Sequence, residues 1–210
     1  MENTVLGIDP GLKGGLAFIG PKCLLGDGIE QRGNGIHLYA MPTIAGKDYD
    51  IQEIKRLLKY YLPDLTIVEQ QISMPGQGLS STLQTGKGFG ILLGLLAGME
   101  MPHQVIPAKA WQYKLFTGVS AKLDTKAKSE IVAKRIFPTA DFRKSDRARV
   151  AADGLTDAAC IAEYARRLYS GVGSEKVKSM KPHTAIEENP NICIKCGVYI
   201  PTDEIGCHTA

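Results

Sequence analysis

Four acidic residues stand where an acid is costly. Asp9 closes the apolar run "TVLGIDPG", Glu69 closes "LTIVEQ", and Asp153 and Asp157 lie four apart in "DGLTDAACIAEYARR". A carboxylate at the end of a buried strand loses its solvation and needs a hydrogen-bond partner, an opposite charge or a cation. Two aspartates four apart share one face of a helix, where like charges repel. A divalent cation removes both conflicts. Mg2+ takes hard oxygen ligands and is held by a few carboxylates, waters and substrate phosphate. Two such ions about 4 Å apart activate a water and stabilise the leaving oxygen in phosphodiester hydrolysis. No histidine neighbours these acids in the sequence, so the set does not read as a zinc site. Each acid also has a purely structural reading. Asp153 could cap a helix, Asp157 could favour the positive end of the helix dipole, and Glu69 could pair at a strand end.

The elements that must position these acids are legible in outline. Val5–Asp9, residues 16–19 and Ile36–Ala40 are short apolar runs separated by Gly, Pro and Asn, which reads as an antiparallel meander. Ile51, Ile54, Leu57, Leu58 and Tyr61 recur at helical spacing until Pro63. "LTIVEQ" and "HQVIP" read as short buried strands. The spacing predicts further helices over 80–101, capped by Ser80 or Ser81, and over 108–116, 125–137 and 153–169. Three strands, followed by helices alternating with two more strands, make an α/β domain with a mixed five-stranded sheet.

The chain has 210 residues, 44% of them hydrophobic and 22% charged, enough for one well-buried domain and a small appendage. The expected division is a domain over 1–170, a polar linker over 171–190 and a cysteine-bearing tail over 191–210. No stretch is long and apolar enough to span a bilayer and no basic-flanked leader is evident, so a cytoplasmic protein without a membrane partner is expected. The net charge is only +3, but residues 120–149 carry nine basic residues against four acidic ones. Such a stretch either binds polyanions or forms a solvated basic helix face. Lys122, Lys126 and Lys128 are the candidates there, while Ser80, Ser81 and Lys87 could hold phosphates beside Glu69. Cys23 and Cys160 sit in apolar contexts and read as core residues.

"GIDPGLKGGLAF", "IVEQ" and "DGLTDAACIAEYARR", in that order, resemble the RuvC-like Holliday junction resolvases of the RNase H-like nuclease superfamily. The "MPGQG" loop, the glycine-rich helix, "VIPAKAWQ" and "DTKAKSE" place the likeness nearer the phage and prophage branch, and it covers about residues 4–167. The resemblance implies an RNase H-like fold and a homodimer that cuts branched DNA, four-way junctions above all, with two Mg2+ or Mn2+ ions per site. It carries Asp9, Glu69 and Asp157 onto the metal-binding acids. Asp153 matches the remaining acid, although the last two acids are three apart in the well-known bacterial enzyme and four apart here. Two other readings stay open. One is a junction-binding protein without catalysis. The other is an actin- or sugar-kinase-like ATPase, since "GIDPGLKGG" also resembles a phosphate-binding hairpin.

Two further features remain. Gly86, Gly90, Gly94 and Gly98 form a stripe at four-residue intervals, which suits either close packing on the chain's own sheet or a subunit interface. Trp111 could stack on a base or pack inside the domain, and packing is the commoner fate. Cys193-x2-Cys196, with Cys207 and His208, resembles a zinc knuckle with a structural ion, the alternative being a reduced tail without metal.

Overall fold

A computed structural model describes residues 3–23, 35–72, 76, 78–145 and 147–172. The chain begins with three antiparallel strands, β1 (Val5–Asp9), β2 (Gly15–Ile19) and β3 (Ile36–Ala40). A small hairpin of β4 (Thr43–Ile44) and β5 (Asp48–Tyr49) follows, which sequence pattern does not reveal because each strand is two residues long. Strands β6 (Leu65–Glu69) and β7 (His103–Ile106) then add parallel to β1, giving the order β3-β2-β1-β6-β7. This is the mixed five-stranded sheet that the order of strand and helix patterns predicts.

Helices cover both faces of the sheet. Helix α1 (Ile51–Tyr61) starts where the Asp50 side chain accepts from the Glu53 N–H at 3.0 Å, and ends at Leu62 in the left-handed region just before Pro63. Together with α2 (Leu79–Gly98) it packs on Leu6, Ile8, Leu16, Phe18 and Val68. The opposite face, with Val5, Ala17, Leu65 and Ile67, is covered by α3 (Ala108–Leu115), α4 (Thr125–Ile136) and α5 (Asp153–Val172). Cys23 and Cys160 are buried in these two cores, as their apolar contexts predict. Among the described residues, no helix is long and apolar enough to cross a membrane.

Helix α2 departs from expectation in two ways. Gly78 is its N-cap, so Ser80 and Ser81 lie within the first turn and do not cap it. Its core face is Gly88, Leu92 and Leu96, while a Cβ at Gly86, Gly90, Gly94 or Gly98 would meet nothing within 4 Å. The stripe therefore does not pack on the chain's own sheet. It lies two residues out of phase with the buried positions, about 200° around the helix.

Glycines elsewhere do bring backbones together, and they set the position of α5. A Cβ at Gly7 of β1 would lie 2.2 Å from the Ala162 amide nitrogen, and one at Gly154 would lie 2.3 Å from the Lys13 carbonyl oxygen. Ala158, Ala162 and Ala165 on α5 are fully buried, which completes a small-residue seam. The start of α5 is thereby pressed against the end of β1 and the turn that follows it. Helix α5 runs on through residues 171 and 172 of the expected linker; the rest of that linker, and the four cysteine and histidine residues of the anticipated zinc knuckle, lie outside the described residues.

Candidate active site

Strand periodicity aims two of the acids the same way. Val5 and Gly7 of β1 face α5, so Asp9, two residues on, continues that face. Leu65 and Ile67 of β6 join the same core layer, which puts Glu69 on it as well. The parallel register pairs Ile8 with Val68 and sets Asp9 beside Glu69 at the carboxyl ends of adjacent strands. Helix α5 supplies the remaining acids from its first turns, at Asp153 and Asp157. Three elements distant in sequence thus deliver carboxylates to one place.

The electrostatics record how close they come. The Asp9 carboxyl is pushed up from an ordinary 3.8 to about 8, first by burial and then by the charges of Glu69, Asp157 and Asp153. Burial also raises Glu69, against a hydrogen bond from Trp111, and Asp157 adds to the rise. Asp157 is raised by burial, with the charge of Asp153 adding and that of Lys126 opposing. The Ser129 hydroxyl lies alongside and offsets part of that rise, although neither it nor Oδ1 of Asp157 meets a partner in hydrogen-bond geometry.

Trp111 is the residue that sequence reasoning undervalued. Its ring is buried, as expected of a packing residue, and stands edge-on to Phe116. Its Nε1–H also donates to Oε2 of Glu69 at 2.7 Å, holding one carboxylate oxygen in place. Nothing in the chain announces this pair, because the two residues are 42 positions apart.

The donor set suits a hard divalent cation. It consists of carboxylates alone, and a buried Asp157 oxygen is left without a partner. Among the described residues, no group of three or more His, Cys, Asp or Glu side chains is placed to hold a metal ion as it stands. Asp153 is exposed and paired through Oδ2 with Nζ of Lys126 at 2.6 Å. Asp153 is thus the outermost member of the set, while Asp9, Glu69 and Asp157 form its buried part.

No family profile matches the chain, and no curated protein sequence does. Solved structures do. A Thermus thermophilus RuvC in complex with a Holliday junction substrate is similar at 15% identity, covering 81% of this chain and 97% of that one, with a TM-score of 0.49. A yeast mitochondrial Holliday junction resolvase is similar at 17% identity over 83% of this chain and 80% of its own, TM-score 0.47. A fowlpox virus resolvase bound to Holliday junction DNA is similar at 18% identity over 78% and 99%, TM-score 0.43. These are similarities of fold.

The candidate phosphate-binding residues divide into two groups. Lys126, near the start of α4, reaches the acids through its ion pair with Asp153, and that pair raises its affinity for its proton. Lys122 is exposed in the turn before α4, and Lys128 donates to the Ala121 carbonyl at 3.3 Å. Part of the basic excess is neutralised locally, since Lys134 pairs with Glu130 and Arg143 with Asp141. Ser80, Ser81 and Lys87 lie on the opposite flank, along the first turns of α2. Lys87 pairs with Asp48 of β5 at 2.5 Å, which ties α2 to the small hairpin.

Proposed function

We propose that the protein is a structure-selective endodeoxyribonuclease that resolves four-way DNA junctions or related branched DNA. The observation that carries this reading is the convergence of Asp9, Glu69 and Asp157 from β1, β6 and α5 into one partly buried, mutually repelling set. Such a set is unfavourable in its charged form unless protons or cations neutralise it. Asp9, at the centre of the coupling, would hold such cations together with its neighbours. Glu69 is oriented by Trp111, and Asp157 brings its unpartnered oxygen from α5. Asp153, paired with Lys126 here, would be the fourth acid available to them. Divalent ions at these residues, Mg2+ or Mn2+, would supply an activated water and stabilise the leaving oxygen of a phosphodiester. Lys126, Lys122 and Lys128 then bind backbone phosphates beside the acids, where contacts position the DNA without choosing sequence.

The branched substrate is inferred from the motif order of the sequence, since the acids by themselves specify only phosphodiester hydrolysis. Two cuts in a four-way junction require two sites. The open glycine stripe of α2, beside Leu79 and Leu83 at 91% and 74% exposure, supports a second copy as the occupant of that surface. The test is cleavage of a synthetic four-way junction with Mg2+, mapped on all strands, for the wild type and D9N. Symmetric cuts near the branch point that vanish in D9N support the reading. Tight binding without cutting favours the non-catalytic alternative, and ATP hydrolysis favours the kinase-like one.

A further inference from the structure

Helix α4 brings one donor to each of the two acids on α5. Lys126 meets Asp153 in an exposed ion pair. Ser129, three residues on, lies beside Asp157. Three residues on α4 match four on α5, because both spacings keep side chains on one helix face. Ser129 is fully buried, and it is the polar member of a buried face that Val132 and Ala133 complete. Its backbone is tied to α5 as well, since its carbonyl accepts from Sγ of Cys160 at 3.7 Å. Asp157 and Cys160 are about one turn apart on α5. Ser129 therefore spans that turn, with its carbonyl at one end and its hydroxyl at the other.

Two buried polar atoms at this contact lack partners. A serine inside a helix ordinarily turns its hydroxyl back to the carbonyl four residues earlier. Ser129 does not: its Oγ is buried without a partner, and so is Oδ1 of Asp157. Leaving both unbonded is costly, and one hydrogen bond between them satisfies both. The hydroxyl has the hydrogen to give, and the ionised carboxyl can only accept. Each carboxylate oxygen accepts at two lone-pair positions, so a bond from Ser129 leaves Oδ1 a further position for a cation. The two donors of α4 differ in charge, and that separates their effects. Lys126 opposes the negative charge of the acid that it holds. A hydroxyl fixes the orientation of its acid and leaves the charge that attracts a cation. The Trp111 N–H does the same for Glu69.

We propose that Ser129 is a positioning residue: it donates its hydroxyl hydrogen to Asp157 and so holds that carboxylate in one orientation for a divalent ion without neutralising it. The inference rests on the nuclease reading above and adds to it the support of one metal-binding acid. Its test is titration of the full chain with Mn2+ alone, without DNA, followed by calorimetry and by the fluorescence of Trp111. D9N, titrated in parallel, marks the part of the signal that belongs to the acids. Partners that orient a metal ligand are worth about 10–100-fold in affinity, so S129A should bind Mn2+ about tenfold more weakly than the wild type. V132A loosens the same contact between α4 and α5 but keeps the hydroxyl. It should unfold at lower urea and still bind Mn2+ within about threefold of the wild type, because a packing defect alone does not reorient the acid. S129A that binds Mn2+ within about threefold of the wild type, or V132A that loses as much affinity as S129A, overturns this inference alone. A wild type that titrates no differently from D9N overturns the metal-dependent nuclease reading and this inference with it.

Discussion

Removing the Asp9 charge should stabilise this protein when no metal is present. Asp9 keeps its proton in the folded state up to about pH 8, whereas in the unfolded chain it loses it near 3.8. Between those values the folded state binds more protons, so stability falls as pH rises through that window. Integrated from pH 5.5 to pH 8, the shift of this one group lowers stability by about 3 kcal/mol. D9N carries no titratable group there and should lose most of that slope. The assay is urea unfolding in EDTA at pH 5.5, 7 and 8, wild type against D9N. At pH 8 the variant should be the more stable protein by a few kcal/mol. Added Mg2+ should reverse the order, because it stabilises only the wild type. His37, whose imidazole burial holds below its ordinary value, contributes stability that grows as pH rises toward 6.5, but it does so equally in both proteins. Parallel pH slopes for wild type and D9N, or a wild type that gains stability relative to D9N from pH 5.5 to 8 without metal, would refute the reasoning.

Further outcomes are expected. W111F removes the N–H that holds Glu69 and shrinks a fully buried ring, so it should lose about 2–4 kcal/mol of stability in denaturant unfolding. Because Trp111 is the only tryptophan, Mg2+ or Mn2+ should alter the intrinsic fluorescence of the wild type and leave that of D9N unchanged. G88A drives a methyl group against the Tyr49 ring and should cost about 1–3 kcal/mol. G94A meets open space in one chain and should stabilise α2 by up to about 1 kcal/mol, yet it should weaken self-association measured by sedimentation. K126A should lower junction affinity and reduce the slope of log affinity against log salt by about one, and an unchanged slope would remove Lys126 from the DNA-binding surface.

What the sequence determined by itself is the local part of the design. Short apolar runs placed Val5–Asp9 and Leu65–Glu69 as buried strands ending in acids, and helical spacing placed Asp153 and Asp157 on one face, because run length and helical period follow from local backbone geometry. The order of strand and helix patterns carried the mixed sheet, with three antiparallel strands first. Tertiary structure decided what depends on residues far apart in the chain. Only packing shows that Gly7 and Gly154 let α5 touch β1 and its turn, which is what brings Asp157 to Asp9. Only packing couples Trp111 to Glu69, commits Asp153 to Lys126, and turns the glycine stripe of α2 outward.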